Sequence, residues 1–421
     1  MLVEIDGNDG TGKTTLIESL KNQNLDNVEI LDRGQLTQFT DIYEDELPNE
    51  LLDDRIYILL DAEINECTLR LLQRGPLTDK YEQYRQLFKY QKRFRRLAVK
   101  YSKQVYYIDT THLRKDEVFQ SVYHLITTYI KEGETKKIAS LKLPNPDTLT
   151  EKQFNELSLV AEGNSKVVRN FNKQFNLIKY KPTIYSHKKQ RAGIIEGTDI
   201  QRRQMTKDIL YLLEAECIDH AYWYVGKNYV LCEKLDLKTQ IPPIEVIVKR
   251  CYVGTDKYKY YNLDQKVSRR GKAVVESEYK IYPQPIVRFD YRNPNHIVQE
   301  LTSELLPKGD EVICDDLADL FIDVKEAKNL ALKTFKVLNQ HFQAMEIFLE
   351  DICFMITTDG TKHWSEISQD CGRYKKVNIE KLEDLDKDVW RAGGSSELVH
   401  EKWHQMTTLV HEYVKENYEN L

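Results

Sequence analysis

Eight residues near the start of the chain, Gly7 to Thr14, constrain its fold more than any others. They spell G-x-x-x-x-G-K-T. Leu2, Val3 and Ile5 before them read as a short buried strand, and Thr15, Leu16, Ile17 and Leu20 after them open an amphipathic helix. In that strand–loop–helix setting the pattern is a phosphate-binding loop (P-loop). Gly7, Gly10 and Gly12 permit backbone angles that turn several amide N–H groups inward, and the helix N-terminus adds its partial positive charge. Lys13 is expected to reach the outer phosphates and the Thr14 hydroxyl to ligate Mg²⁺, with Asp9 and Thr15 counted among the nucleotide-binding positions. The alternative, a glycine-rich turn with a chance lysine, leaves the full pattern unexplained.

Composition bounds the rest. A chain of 421 residues suggests two or three domains. A hydrophobic share of 41% with 30% charged residues is ordinary for a soluble protein. Net charge is −6, so no global basic field recruits nucleic acid. The basic runs Lys92-Arg93, Arg95-Arg96 and Arg269-Arg270 read as solvated faces or loops unless phosphates lie nearby. No apolar run is long enough for a membrane span, and no signal-peptide core precedes Gly7. Seven cysteines without C-x-x-C spacing fit reduced thiols, and a cytoplasmic location is expected.

Further short apolar strands follow at 28–31, 56–61 and 105–109, separated by helical patterns, so a parallel sheet is expected. Ligands on such sheets bind beyond the carboxyl ends of the strands, where Gly7, Asp32 and Asp61 fall. Ile5 to Thr15 resembles the P-loop of thymidylate kinases and related deoxynucleoside monophosphate kinases. Asp32-Arg33 resembles that family's D-R motif, which positions the acceptor phosphate. Arg70 and Arg74-Gly75 stand where its R-x-x-x-R-G lid closes over the transferring phosphoryl group. The resemblance covers residues 1–132 and implies catalytic roles for Lys13, Asp32, Arg33, Arg70 and Arg74. One departure stands out: the stretch between the P-loop helix and Asp32, which in the family grips the monophosphate, is short here. ATP binding is therefore better supported than thymidylate phosphorylation.

Residues 133–152 are polar with two prolines and read as a linker, although Ile138 to Leu143 has the composition of a strand. Residues 153–421 are a different protein. Glu162 to Val168 resembles the E-G-K-T-K opening of phosphoribosylaminoimidazole-succinocarboxamide synthases, the SAICAR synthetases. In the family's order follow Ile195 to Thr198, the helix Met205 to Ala215, Val230 to Leu235, and Pro243 to Arg250 with Val253-Gly254-Thr255. Tyr282 to Ile286, Ser365 to Arg373 and Leu385 to Arg391 complete the series. The resemblance implies an α+β, ATP-grasp-related domain behind the α/β P-loop sheet. It further implies a ligase that joins a carboxylate to an amine such as aspartate through an acyl phosphate.

By that resemblance Lys166 and Lys234 neutralise ATP phosphates. Lys249 or Arg250, with Gly254, Thr255 and Arg373, hold a substrate 5′-phosphate, for which a planar Arg fork is well suited. Mg²⁺ demands oxygen ligands, for which Glu350, Asp351 and Glu366 are the candidates, Glu366 also being counted catalytic. Departures concentrate here. The family's D-F-K lysine is missing, Phe354 falls where an acid belongs, and Ser365 replaces an aspartate. The loop His187 to Arg191 and the segment Pro294 to His296 match poorly, which leaves the substrate's identity open.

Two other patterns compete. His400-Glu401-Lys402-Trp403-His404 spells H-E-x-x-H, a zinc-protease signature on a helix. His411 misses the longer metzincin spacing by one residue, so a helix face is the favoured reading. Tyr258-Lys259-Tyr260-Tyr261 could stack a base, but a strand-edge tyrosine cluster is favoured. The combined expectation is a bifunctional nucleotide-metabolism enzyme, a MgATP-dependent kinase fused to an amide ligase. It would act on nucleotides and an aspartate-like amine, for a modified nucleotide of viral or phage origin. The alternative is a nucleotide-binding sensor or scaffold with an inactive ligase-like half. Homo-oligomer formation is left open.

Overall fold

The computed structural model describes residues 1–23, 25, 27–186, 191–254, 263–276, 279–293, 310–377 and 382–421. Its contacts divide the chain into Met1–Glu151 with Asn417–Leu421, and Lys152–Glu416.

The first unit carries the expected parallel sheet. Strands β1 (Leu2–Gly7), β2 (Glu29–Asp32), β3 (Arg55–Asp61) and β4 (Val105–Asp109) lie in the order β2-β1-β3-β4, all parallel. Helices α1 (Lys13–Lys21) and α5 (Lys115–Glu132) share one core with the sheet. Leu16, Leu20, Val122 and Leu125 pack there against Val3, Ile5, Ile58 and Ile108. Between β2 and β4 run α2 (Gln35–Phe39), α3 (Ile64–Leu72) and α4 (Tyr84–Lys100), the last packed on β3 and β4. A parallel sheet covered by helices accounts for strands that read as continuous apolar runs. The strand expected within Ile138 to Leu143 is instead a helical turn, Lys136–Ala139, that inserts Ile138 into this core. The Leu141 carbonyl accepts from the Tyr107 N–H of β4 at 2.8 Å. A short apolar run does not by itself distinguish strand from helix. At the C-terminal end Tyr418 is buried, edge-on to Tyr43 with ring centroids 5.4 Å apart.

The second unit is built on antiparallel sheets. β5 (Leu159–Glu162), β6 (Lys166–Asn170), β7 (Phe175–Tyr180), β10 (Tyr222–Val225) and β11 (Val230–Glu233) form one, in the order β10-β11-β7-β6-β5. β8 (Thr183–Ser186) and β9 (Arg191–Ile194) make a separate ribbon. The larger sheet runs β14-β13-β12-β15-β16-β17, with β12 Ile244–Cys251, β13 Ile281–Tyr291, β14 Glu311–Ile313, β15 Ile347–Phe354, β16 Gly372–Val377 and β17 Leu382–Asp384. Helix α6 (Thr198–Ala215) starts earlier than the expected Met205, directly after Gly197. Helix α7 (Val324–Ala344) packs on β12 and β15. Strand alternation decides what faces it. Ile244, Val246 and Val248 belong to the same set as Arg250, while Glu245, Ile247 and Lys249 point the other way. Helices α8 (Asp388–Arg391) and α9 (Ser396–Asn417) follow the sheet.

Candidate functional site

In the first unit the loop between β1 and α1 has positive φ at Gly7 (140°), Gly10 (82°) and Gly12 (98°). At Gly7 a Cβ would lie 2.2 Å from the Leu60 carbonyl oxygen of β3, so only glycine fits. Lys13 is buried, and its ammonium donates to the carbonyls of Gly7 (2.6 Å) and Asn8 (2.8 Å). Burial lowers its pKa, opposed by nearby Asp9. Arg33 sits in the left-handed region at φ 57° and donates to Asp9 at 3.1 Å. Lys13, Asp9 and Arg33 are thus brought together, while Thr14, Asp32 and Arg74 are exposed and Thr15 is half-buried. Arg70 does not extend outward as a lid residue. It pairs with Glu66 at 2.7 Å and donates to the Thr110 carbonyl at 2.7 Å, with the Gly10 carbonyl at 3.5 Å, bracing the loop from beneath.

Two acids escaped the sequence reading. Asp6 is fully buried, and its Oδ1 accepts from the Thr37 N–H at 3.0 Å and the Thr37 hydroxyl at 2.5 Å. Among the described residues its Oδ2 has no hydrogen-bond partner, and burial pushes the carboxyl up to about 6 against the Thr37 hydrogen bonds. Glu4 accepts from the Gln35 N–H at 2.7 Å. Together they tie β1 to the turn that carries Arg33. The available signal was two carboxylates at alternate positions of an otherwise apolar strand, because buried charge needs a partner.

In the second unit the predicted phosphate residues converge in part. Lys249 lies opposite Asp351 across β12 and β15, and Asp351 opposite Arg373 across β15 and β16. The three form one row on one face. Asp351 Oδ2 accepts from Lys249 at 2.8 Å and from Arg373 at 2.6 Å. Burial opposes ionisation of Asp351, but Arg373 and then Lys249 outweigh it and hold the carboxyl down to about 2. Lys249 also donates to the Val253 carbonyl at 2.9 Å, which draws the next residue over the row. A Cβ on Gly254 (φ 116°) would stand 3.6 Å from the Lys249 ammonium and 3.9 Å from the Arg373 guanidinium. Asp388 anchors Arg373 from behind at 3.2 Å and Arg391 at 2.5 Å. Arg250, expected as an alternative to Lys249, points to the opposite face. There it donates to Asn339 of α7 at 2.9 Å and covers the Phe348 ring at 4.2 Å. Thr255, the loop 187–190, Tyr258 to Tyr261 and Pro294 to His296 lie outside the described residues.

The metal candidates do not assemble. Glu366 is clamped by the buried Arg202 of α6 (2.5 and 3.1 Å) and by Lys166 (3.2 Å). Burial raises the carboxyl's pKa, but Arg202 and Lys166 win and lower it. Asp351 is committed to its two cations. Glu350 lies 3.8 Å from Lys375, and burial lifts it to about 7. Among the described residues no three His, Cys, Asp or Glu side chains form a group that could hold a metal. As arranged, these carboxylates therefore do not fit Mg²⁺ as a set. In the first unit the exposed Thr14 hydroxyl does fit, since Mg²⁺ keeps most of its ligands as water and phosphate.

Lys166 and Lys234 engage different partners. Lys166 opens β6 and donates to Ser365 at 2.7 Å, whereas Lys234 donates to Asn170, the last residue of β6, at 2.6 Å. Arg202 gave no local signal; it is a cation inside a helix, defined only by its distant partner. The H-E-x-x-H stretch lies on α9 with His400, Glu401 and His404 exposed, and His411 engages Asp208 at 3.2 Å and Gln204 at 3.0 Å. It is a helix face. None of the seven cysteines is in a disulfide, and among the described residues no helix is long and apolar enough to cross a membrane.

A curated relative, "Bifunctional cordycepin biosynthesis cluster protein 3" of Cordyceps militaris, is 29% identical over 320 residues. The match takes in 68% of this chain but 33% of the relative, so the chain spans about a third of that protein's length. Among solved structures, "SAICAR synthetase (Type-2) in complex with ADP" is 22% identical, covering 60% of this chain and 97% of its own, with a TM-score of 0.48. The SAICAR synthetase (Type-1) from Pyrococcus horikoshii is likewise 22% identical, covering 58% and 97%, with a TM-score of 0.46. The family described as SAICAR synthetase matches residues 159–408, the span that carries Lys166, Arg202, Lys249, Asp351, Glu366 and Arg373, and the chain belongs to that family.

Proposed function

We propose that the second unit is an ATP-dependent carbon–nitrogen ligase acting on a carboxylated nucleotide and an amine such as aspartate. The observation that supports this most is the Lys249–Asp351–Arg373 row beneath Gly254. Two cations facing a glycine without a side chain leave a cleft suited to a terminal phosphate. Lys249 and Arg373 hold the substrate's 5′-phosphate, and Lys166 and Lys234 are assigned to the ATP phosphates. ATP converts the substrate carboxylate to an acyl phosphate. ADP leaves in that step; the amine then forms the C–N bond as the C–O bond to phosphate breaks, releasing phosphate and giving its proton to solvent. No step is assigned to a metal in this unit. The test is an ADP-release assay over carboxylated nucleotides and amino acids. ADP must appear only when both are present, matched by amide on mass spectrometry; ADP without amide contradicts the reading.

The first unit is assigned as a MgATP-dependent, thymidylate kinase-like nucleotide kinase, with Gly7, Asp9, Gly10, Gly12, Lys13, Thr14 and Thr15 as its phosphate-binding loop. Support comes from the positive φ angles of the three glycines and from Lys13 folded over the loop's carbonyls. Arg33 is the acceptor-side arginine, and Arg74 is free to act from solvent. The "bifunctional" name of the Cordyceps militaris relative is in keeping with two activities in tandem. A second reading, a nucleotide sensor with an inactive ligase half, draws on Glu366 and Asp351 being fully engaged by cations. The same assay separates them, since a sensor binds ATP without coupled amide formation.

A further inference from the structure

The row of residues under Gly254 has an anion at its centre, in the stretch where sequence resemblance looks for a metal ligand. Asp351 Oδ2 is shared by the ammonium of Lys249 at 2.8 Å and the guanidinium of Arg373 at 2.6 Å. The three side chains come from neighbouring strands at paired positions, so the sheet itself sets their spacing. Lys249 and Arg373 both approach Gly254, and two buried like charges repel unless an opposite charge lies between them. The Lys249 contact extends to the Val253 carbonyl at 2.9 Å, so the same ion pair also fixes the turn that closes the cleft. On the far side Arg373 is steadied by Asp388, itself shared with Arg391. Every charge in this chain of contacts thus has a partner, and Asp351 is the one that joins both cations.

The geometry points to Asp351 as a positioning residue that holds Lys249 and Arg373 at the spacing a phosphate ester requires, and not as a ligand of Mg²⁺. This rests on the phosphate-pocket reading above. A carboxylate oxygen already taking two charge-assisted bonds is a poor metal ligand, because a cation there would have to displace Lys249 and Arg373. Arg373 and Lys249 outweigh the opposing effect of burial and keep this carboxyl ionised well below neutral pH, so its anchoring is constant across the working range.

The test uses the full-length chain, ribose 5-phosphate as the phosphate probe and Mn²⁺ as the metal probe. Asp351→Asn is expected to weaken ribose 5-phosphate binding tenfold or more in calorimetry and to leave Mn²⁺ affinity, read by electron paramagnetic resonance, within twofold. Asp351→Asn combined with Arg373→Ala is expected to lose clearly less than the product of the two single losses. Part of what Asp351 does runs through Arg373 and cannot be lost twice, whereas losses that simply multiply would mean a general loss of structure and overturn the inference. Ribose 5-phosphate affinity unchanged in Asp351→Asn, or Mn²⁺ affinity reduced tenfold, overturns the inference. If Arg373→Ala itself binds like the wild type, the phosphate pocket fails and this inference falls with it. Should Asp351→Asn not fold, a crystal structure of the wild type with Mn²⁺ and ribose 5-phosphate decides. Phosphate on Lys249 and Arg373 with Asp351 still bonded to both supports the inference; anomalous manganese density against Asp351 overturns it.

Discussion

The two anion-binding candidates of this chain hold their cations by opposite means. Lys13 in the first unit is folded over the neutral carbonyls of Gly7 and Asn8, all within eight consecutive residues. Lys249 and Arg373 in the second are held by a carboxylate, Asp351, on a strand between theirs. Carbonyl contacts are weak enough to be exchanged for a phosphate as it arrives. A carboxylate bond is stronger, so the second site keeps its geometry while a phosphate adds to it. One site is therefore local in sequence and adaptable; the other is assembled from afar and fixed.

Three measurements break or sharpen that contrast. The largest effect is expected from Lys13→Ala, which removes the one cation of the local loop. Kinase turnover over a panel of nucleoside monophosphates should fall at least about 100-fold, since phosphoryl transfer depends on positioned charge. Turnover within threefold of the wild type would show that Lys13 does not serve the phosphates.

The next concerns how β1 is tied to the Arg33 turn. The folded pKa of Asp6 is raised, so its protonated form favours the fold. That contribution is complete below the ordinary value of 3.8 and lost as pH rises through about 6. The difference corresponds to about 3 kcal/mol. Asp6→Asn does not titrate. In urea unfolding followed by hydrogen exchange at the β1 amides, wild-type stability relative to the variant should drop by about that amount between pH 4 and pH 8. A constant gap across that range would contradict the assignment.

The smallest effect belongs to Arg250→Ala. Arg250 is next to Lys249 in sequence but faces Asn339 and Phe348 on the α7 side. Ribose 5-phosphate affinity should change less than twofold. A loss of tenfold would mean that both basic residues reach one pocket.

What could be read ahead of the structure follows the same division. The glycine turn from Gly7 to Thr14 was legible because its residues are contiguous, and the parallel sheet because its strands are short apolar runs between helices. In the second unit, family resemblance marked Lys249, Gly254 and Arg373. Strand alternation alone could have rejected Arg250 as a companion to Lys249. The role of Asp351 was not legible, since it depends on the register of β12, β15 and β16, which no local pattern encodes. The ion pair of Glu366 was not legible for the same reason: its partner Arg202 lies 164 residues away in the chain. Ile138 to Leu143 allowed a strand as well as a linker because its few apolar residues fit either period, and the turn Lys136–Ala139 takes up its start instead.

The central claim is that Lys249 and Arg373 bind a 5′-phosphate, and calorimetry of ribose 5-phosphate against ribose tests it most directly. The account predicts saturable binding of the phosphate ester, no binding of ribose, and a loss of about 10- to 150-fold in Arg373→Ala, the value of a charge-assisted contact of roughly 1.5–3 kcal/mol. Equal binding of ribose and its phosphate, or wild-type affinity in Arg373→Ala, would contradict it.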